Sequence, residues 1–239
     1  MKINGELCIG CKQCVPYCPV GCITAKDGKV YVDHDECVDC GVCKRANVCP
    51  KDAIYMPAEC YEYPRAIRMQ FSDPGVQHPN LKAWGRGTEE AKTNDVTAKF
   101  KKGEYGLLLE FGRPGTGTRL TEIEKVTLAM RSMGIPIIKD NPLYGLLEPD
   151  ISGKFKPEYV NEKVLSAILE LVLTEDKLEE TLSKLFPIFK SLNTVVSVGL
   201  VSRFDDNAEL PVIKKLKKLG IKVRPNAKIN VGLGRPLID

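Results

Sequence analysis

Hydrophobic residues follow different patterns in the two parts of this 239-residue chain. After residue 103, short apolar runs bounded by glycine or polar residues predict strands at 105–111, 135–138, 195–201 and 221–223. Apolar residues at helical spacing predict helices at 120–133, 158–173, 174–192 and 208–219, the third interrupted at Pro187. Strand, helix and strand therefore recur, which predicts an α/β sandwich built from two βαβ-like halves over residues 104–239.

The pattern before residue 104 has shorter elements. Residues 23–25 and 30–32 flank the Asp27-Gly28 turn and predict a β-hairpin. Prolines and glycines interrupt every periodic pattern between residues 61 and 103, so this stretch is predicted to be an irregular linker. Trp84 lies within the linker and is expected to anchor it to a core, with stacking on a ligand as the alternative. The predicted organisation is α+β, with a domain at 1–60, a linker at 61–103 and an α/β domain at 104–239.

All ten cysteines lie at or before Cys60, and eight of them form two copies of one spacing. Three cysteines separated by two residues can wrap one face of an iron–sulfur cube, while a fourth, followed by proline, reaches across to the other cube. On this rule the ligands are Cys8, Cys11, Cys14 and Cys49 for cluster I, and Cys37, Cys40, Cys43 and Cys18 for cluster II. A zinc site or a disulfide framework is the alternative, but zinc ribbons do not use two such triplets each followed by Cys-Pro.

These motifs resemble the bacterial-type ferredoxins with two [4Fe-4S] clusters, over about the first sixty residues. Residues 20–23 after Cys18-Pro19 mirror residues 51–54 after Cys49-Pro50, which indicates a duplicated half. The chain departs from the family pattern in the longer spacing between Cys43 and Cys49, and in Cys22, where a small residue is typical.

Two groups of residues around the motifs carry further expectations. Cys22 and Cys60 lie outside the ligand sets and are expected to be buried thiols rather than ligands. Apolar residues near the motifs are expected to shield the clusters from water, namely Ile9, Val15, Val20, Ile23, Val38, Val42, Val48 and Ile54.

The formal net charge of +4 is unevenly distributed. Residues 1–60 carry 7 Lys and Arg against 8 Asp and Glu, a net of −1, whereas the remainder has a net of +5. Bound clusters would add negative charge to the first part, so electrostatic attraction is expected to dock the two parts or to orient a partner. This balance favours a redox protein or catalytic subunit as the partner, and not nucleic acid.

The sequence predicts neither export nor membrane insertion. The N-terminal segment is too short and too polar for a signal peptide. The most apolar run, 164–173, has ten residues and contains Glu170, which is too short to span a bilayer. Thiols in this number persist as metal ligands under reducing conditions, so a cytoplasmic protein working without oxygen is predicted.

A second candidate site is the glycine-rich segment 112–119, between a predicted strand and a predicted helix. It contains Gly112, Arg113, Gly115, Gly117, Thr118 and Arg119. Backbone amides and the helix dipole there could hold an anion or the phosphate of a flavin, although glycines that merely permit a tight turn are the alternative. The segment matches neither the dinucleotide fingerprint nor a Walker loop. Residues 232–236 repeat Gly-Arg-Pro and could flank the same surface, or form a solvated tail.

Residues 84–95, together with 112–115, are similar to the part that follows the ferredoxin module in proteins of the 6-hydroxynicotinate reductase type. Those proteins are longer iron–sulfur flavoproteins. The resemblance implies that electrons pass through the clusters to a reductive site in the second part of the chain or in a partner.

Three functions follow from these patterns. The leading prediction is electron transfer through two [4Fe-4S] clusters, as a subunit or dedicated partner of a larger oxidoreductase. The alternative is a reductase that binds flavin or an anionic substrate at residues 112–119. A third class would use the clusters structurally, in redox sensing or assembly. No catalytic residue is predicted, because His34 and His78 stand apart from any nucleophile or carboxylate pair.

Overall fold

The computed structural model describes residues 1–79, 82, 84, 100–113, 115–139, 141–149 and 152–224. The N-terminal part contains β1 (Lys2–Ile3), β2 (Ile23–Lys26), β3 (Lys29–Val32), α1 (Val42–Arg45) and β4 (Ile54–Tyr55). The following part contains α2 (Ala66–Gln70), β5 (Glu104–Phe111), β6 (Thr118–Arg119), α3 (Leu120–Ser132), β7 (Lys163–Val164), β8 (Ala167–Thr174), α4 (Leu178–Ser191), β9 (Val196–Val201) and α5 (Val212–Lys218). Short 3-10 helices lie at Val15–Tyr17, Ala58–Tyr61 and Tyr144–Leu146.

Two small antiparallel sheets frame the N-terminal part, which we call the cysteine module (residues 1–60). Strands β2 and β3 form the predicted hairpin around Asp27 and Gly28, both of which have positive φ angles. Strand β1 pairs with β4, so that Ile3 lies opposite Ile54. This pairing joins the start of the module to the segment that follows its last Cys-Pro pair.

The second part runs from α2 to α5, and we call it the body. It is built on a three-stranded antiparallel sheet in the order β8-β5-β9. Residues 104–111 of the central strand pair with β8 over their whole length, and residues 106–111 also pair with β9. The flanking strands therefore run in the same direction on either side of β5, and α4 connects them, an arrangement known as a split βαβ unit. The predicted strands near 105–111 and 195–201 and the helix containing Pro187 are confirmed.

One face of this sheet carries the main hydrophobic core. Alternate residues of β5, including Leu107, Leu109 and Phe111, point to the same face and are fully buried. Helices α3 and α4 contact each other and contribute buried side chains to this core, among them Ile123 and Leu182. Each helix thus covers the sheet with the apolar stripe that its sequence spacing predicts.

The prediction of two βαβ halves is wrong. Residues 158–173, predicted as a helix, form β7 and most of β8, because a strand buried on both faces gives a continuous apolar run that resembles a buried helix. Residues 135–138 form no strand, and Pro136 could not have donated a ladder hydrogen bond. Residues 221–223 also lie outside any strand, and Ile221 instead packs against the core.

Part of the predicted linker belongs to the body. Residues 66–70 form α2, and the side chains of Ile67 and Phe71 are fully buried in the main core. Phe100 packs on the opposite face of the sheet, so close to Gly106 that an added Cβ would lie 2.4 Å from its ring. Trp84 is 69% exposed, so the prediction that it anchors the linker in a core is wrong. Residues 85–95, which carry the second resemblance, lie outside the described residues.

No helix among the described residues combines the length and the hydrophobicity needed to cross a membrane. The longest helix, α4, has 14 residues and a charged, solvent-facing side.

Candidate metal centre

The first group of thiols draws on both cysteine motifs. Cys8, Cys11 and Cys49 lie close enough to Cys14 to affect its ionisation: burial, and then these three neighbours, raise the pKa of the Cys14 thiol. Cys14 is buried, whereas Cys11 is exposed to solvent. The structure thus places together the four residues that the spacing rule assigns to cluster I.

The second group is assembled in the same crosswise manner. Burial is the largest cause that raises the pKa of Cys43 to about 12, followed by the neighbouring thiols of Cys40, Cys37 and Cys18. A small pocket lies beside the thiols of Cys18, Cys37, Cys40 and Cys43. The wall of this space includes apolar side chains from several segments: Met1, Val20, Ile23, Val32 and Val38. Such a wall would exclude water from a bound cluster.

The two motifs share an unusual backbone conformation at equivalent positions. Positive φ angles occur at three pairs of equivalent positions: Gly10 (70°) and Asp39 (51°), Lys12 (63°) and Gly41 (69°), and Gly21 (68°) and Asp52 (43°). L-amino acids rarely adopt this region, so its recurrence at matched positions reflects a geometric requirement of the loops. The internal repeat predicted from the sequence is therefore visible in the backbone.

Each Cys-Pro segment also donates a backbone amide to its own cysteine. The amide of Cys22 lies 3.2 Å from Sγ of Cys18, and the amide of Ala53 lies 3.3 Å from Sγ of Cys49. Both donors are four residues beyond their acceptors. A sulfur that accepts an amide hydrogen bond is stabilised as a thiolate, which is the form that binds metal.

Cys22 occupies the position that Ala53 has in the other half, and its thiol contacts a predicted ligand. Its Sγ lies 3.4 Å from Sγ of Cys18. The hydrogen bond from Cys22 holds the pKa of Cys18 at about 5, and the same contact raises the pKa of Cys22. Cys22 is buried, as predicted, and it lies in direct contact with the second thiol group.

Cys60 lies in a buried polar cluster that sequence reasoning missed. Its thiol and the side chains of His34 and Asp39 present ligand-type atoms within 4.8 Å of one another. Asp39 is fully buried, and it contacts the Met1 amino group and, across 2.8 Å, Nε of Arg65. Burial alone would raise the pKa of Asp39, but these two cations hold it below its ordinary value. Because both cations compete with a metal ion for this carboxylate, the cluster is better described as an internal ion network.

Arg68, from helix α2, connects the cysteine module to the body. Its side chain is nearly inaccessible, and Nη1 donates hydrogen bonds to the backbone oxygens of Asp35 at 2.6 Å and Cys37 at 2.7 Å. Its Nε donates to the carboxylate of Glu162 in the body. Sequence reasoning did not single out Arg68, because it lies in a stretch predicted to be irregular.

Acidic residues of the module meet basic residues of the body beside this contact. Arg119 forms ion pairs with Asp35, at 2.6 Å, and with Glu36, and Lys163 also pairs with Glu36. Arg119 is the main cause that lowers the pKa of Asp35, and Lys163 is the main cause that lowers the pKa of Glu36. The expected attraction between an acidic first part and a basic second part is thus seen as specific ion pairs.

The glycine-rich segment 112–119 packs against the module. A Cβ added to Gly115 would lie 3.1 Å from the backbone oxygen of Pro19, and one added to Gly117 would lie 3.3 Å from Val20. Gly112 has a φ of 83° and approaches the backbone of Gly117, as a tight turn requires.

The polar residues of the segment have partners within the protein. Arg113 forms an ion pair with Glu110 at 2.6 Å, Arg119 binds the module, and Thr118 is buried. Pro114 and residues 232–236 lie outside the described residues. The structure therefore favours the tight-turn alternative, and the prediction of flavin or anion binding at Gly112, Arg113, Gly115, Gly117, Thr118 and Arg119 gains no support.

The chemistry of the two thiol groups fits iron–sulfur clusters. Each group offers four sulfur donors, and each Cys-Pro cysteine accepts an amide hydrogen bond. No pair among the ten cysteines forms a disulfide. The four thiols of a group come from both motifs, as crosswise ligation requires.

Comparison with known proteins gives the same assignment. Residues 7–53 match the family described as "4Fe-4S dicluster domain". The chain is 50% identical over 52 residues to "Ferredoxin 7Fe" of Hydrogenibacillus schlegelii, which covers 21% of this chain and 64% of that protein. It is 41% identical over 68 residues to a ferredoxin of Streptomyces griseus, which covers 27% of this chain and 63% of that protein. The chain thus spans less than two thirds of the length of either relative.

A third relative is matched over most of its length. "Ferredoxin-1" of Caulobacter vibrioides is 43% identical over 102 residues, which cover 41% of this chain and 86% of that protein. The chain therefore belongs to the ferredoxins, through a 4Fe-4S dicluster module at its N-terminus.

Proposed function

We propose that this protein transfers electrons one at a time through two [4Fe-4S] clusters, as a subunit or dedicated partner of a larger oxidoreductase. Cluster I would be held by Cys8, Cys11, Cys14 and Cys49, and cluster II by Cys37, Cys40, Cys43 and Cys18. The single observation that carries the proposal is the assembly of two crosswise groups of four thiols within a matched dicluster domain.

The residues around the thiols have defined tasks under this proposal. When bound, such clusters supply one-electron redox chemistry with little structural rearrangement. The amides of Cys22 and Ala53 would stabilise the thiolate form of Cys18 and Cys49, and the apolar walls would exclude water. All four sulfur positions of each group come from cysteine, so the arrangement provides no ligand position for a substrate.

The body supports the second part of the proposal, that the protein is a subunit or dedicated partner of one oxidoreductase. Residues beyond the matched domain add a folded sheet and helices. They bind the module through a hydrogen bond from Arg68 and ion pairs of Arg119 and Lys163. A freely diffusing ferredoxin needs no such addition, whereas a component of one particular oxidoreductase can use it to bind a partner. A reducing, anoxic cytoplasm belongs to the same proposal, because ten unpaired thiols suit it.

The proposal is tested by purifying the full chain without oxygen and quantifying iron, sulfide, zinc and flavin. We expect about eight iron atoms and eight sulfide ions per chain, and an electron paramagnetic resonance signal of reduced [4Fe-4S] clusters after dithionite treatment. Zinc alone, or no metal, would overturn the cluster assignment. Identification of co-purifying chains tests the partner, because a subunit or dedicated partner should be retained together with an oxidoreductase chain. Flavin in equimolar amount would instead favour the reductase alternative.

A further inference from the structure

Equivalent positions of the two cysteine motifs differ sharply in their exposure. Residues 37–41 of the second motif are all buried, but in the first motif Ile9, Cys11 and Lys12 are exposed. Val38 is 1% exposed, whereas Ile9, its equivalent, is 59% exposed. Ile9, which is expected from the sequence to shield a cluster, therefore has more than half of its surface exposed. The two loops share positive φ angles at equivalent positions but differ in the residues that cover them.

The second motif is covered by the segment that joins the module to the body. Arg68 donates to the backbone oxygen of Cys37, and Arg65 contacts Asp39. An added Cβ on Gly41 would lie 2.9 Å from a carboxylate oxygen of Asp73, which itself forms an ion pair with Arg45. The glycine-rich segment closes the Cys18-Pro19 side of the same thiol group.

The first motif has no comparable cover among the described residues. Leu7 and Ile9 flank Cys8, and both are large apolar side chains with about half or more of their surface exposed. Cys11 itself is exposed. Electron transfer between proteins requires a close approach to a cluster, and exposed apolar residues beside a redox site are typical of a contact surface. We call the exposed surface around Cys8 and Cys11 the cluster I face.

Lysine residues form the rim of the cluster I face. Lys12 lies within the motif, Lys51 follows Cys49-Pro50, and Lys29 donates to the backbone oxygen of Cys8 at 3.2 Å. The turn of the β2–β3 hairpin lies against the motif, because an added Cβ on Gly10 would overlap the backbone oxygen of Gly28, and this places Lys26 nearby.

Several acidic residues of the module form ion pairs on the side away from the cluster I face. Among the described residues, Lys12, Lys26 and Lys51 form no ion pair. In contrast, Asp35, Glu36 and Asp39, on the covered side, all pair with cations. Glu6, Asp27 and Asp52 are the acids near the cluster I face, and Asp52 pairs with Lys44, so the rim itself holds four lysines, Lys29 included, against three carboxylates.

We propose that the cluster I face is where this protein exchanges electrons with its partner, and that the partner is a redox protein with a negatively charged contact surface. The inference rests on the proposed function and adds the route of the electrons. Cluster II would be enclosed by the body, and electrons would enter and leave through cluster I. The lysine rim supplies charge complementarity to an acidic partner and would accelerate its association at low ionic strength.

The first test measures oxidation of the anaerobically reduced protein by cobalt(III) complexes in a stopped-flow instrument. One electron passes from the protein to each cobalt(III), which becomes cobalt(II). Lys12→Glu and, as a second variant, Lys51→Glu should slow oxidation by anionic cobalt(III)–EDTA roughly threefold at low ionic strength and should accelerate oxidation by hexaamminecobalt(III). Lys214→Glu, on the exposed side of the body, is the matched control and should change neither rate.

The second test does not depend on electron transfer. Hexacyanochromate(III) and hexaamminechromium(III) are redox-inert, paramagnetic ions that broaden nuclear magnetic resonance signals at the surfaces they contact. The anion should selectively broaden the amide signals of Lys26, Asp27 and Lys51 in the oxidised full chain, and the cation should not. Preference for the cation at this face would show that the clusters' own negative charge dominates there, and would overturn the acidic partner.

Failure of this inference can be distinguished from failure of the proposed function. Iron, sulfide and reducible clusters could be present while the two rim variants, Lys12→Glu and Lys51→Glu, are oxidised at the same rates as the control Lys214→Glu. In that case the cluster I face is not the exchange surface. If the chain carries no reducible cluster, the proposed function fails first. Equal broadening over the whole surface by both chromium complexes would also overturn the assignment of this face.

Discussion

The guanidinium group of Arg68 donates a hydrogen bond to the backbone oxygen of Cys37 across 2.7 Å. Arg68 is 3% exposed and belongs to a helix outside the matched dicluster domain. The same guanidinium binds Glu162 in the body. One buried cation therefore fixes the position of a predicted cluster II ligand relative to the body, and the covered cysteine motif depends on residues that the module itself does not contain.

Replacement of Arg68 should destabilise the whole chain. Arg68→Met removes the donor to the partly buried carboxylate of Glu162, to the carbonyl oxygen of Asp35 and to the buried carbonyl oxygen of Cys37, so the free energy of unfolding should fall by about 3 kcal/mol. Anaerobic urea denaturation followed by circular dichroism measures this loss. Arg131→Met removes an exposed arginine and should cost less than about 0.5 kcal/mol. A loss below about 1 kcal/mol for Arg68→Met would contradict the proposed clamp.

Among the four proposed ligands of cluster I, the exposed Cys11 should be the one whose loss is best tolerated. Cys11→Ala leaves one iron without a cysteine ligand at a solvent-accessible corner, so we expect about seven irons per chain instead of eight. Iron analysis, together with a resonance signal from a three-iron centre in the oxidised protein, measures the change.

Cys60→Ala is the matched control for the iron count. Its thiol is buried beside Asp39 and outside both thiol groups, so about eight irons should remain. An iron content that falls equally in Cys60→Ala and Cys11→Ala would assign Cys60 a ligand role, and the crosswise ligand sets would then be incorrect.

Cys22 should be replaceable by the residue that occupies its position in the other half. Ala53 makes the equivalent amide contact to Cys49, so Cys22→Ala should keep the amide donor to Cys18 and retain about eight irons. Cys22→Leu should destabilise the protein by about 1–3 kcal/mol, because it overfills a buried site beside the second thiol group. Iron analysis and thermal unfolding compare the two variants. Loss of iron from Cys22→Ala would show that this thiol does more than fill space.

The cysteine module was predictable because its information is local. The spacing of Cys8, Cys11 and Cys14 specifies one loop, and a Cys-Pro pair specifies the next, so no distant contact had to be inferred. The Asp27-Gly28 hairpin was predictable for the same reason.

The body was predicted less well because its sheet depends on contacts between distant segments. Antiparallel pairing of β5 with β8 and β9 leaves no signature in any one stretch, and β8 has the continuous apolar pattern of a strand buried on both faces. Arg68 and Asp39 acquire their roles only from the residues that surround them. A charged residue in a sequence is normally read as solvated, so nothing indicated that these two would be buried.

A last prediction concerns the alkaline limit of the body's stability. Tyr105, whose ring is buried in the main core, donates from its hydroxyl to Glu175 at 3.0 Å. Burial, and then the carboxylate of Glu175, raise the pKa of Tyr105 to about 12. In the unfolded chain the phenol ionises near pH 10, so the unfolded state loses its proton first, and stability present below pH 10 should be lost as the pH rises toward 12.

Tyr105→Phe should make the protein less sensitive to this pH rise, although it removes one hydrogen bond and should cost about 1 kcal/mol near neutral pH. Anaerobic urea unfolding at several pH values between 9 and 12 measures both effects. Tyr61→Phe, which removes an exposed phenol, should keep the pH dependence of the unsubstituted protein. The free energy of unfolding could fall with pH above 10 equally steeply in Tyr105→Phe and in the unsubstituted protein. A group other than Tyr105 would then govern the loss of stability at alkaline pH.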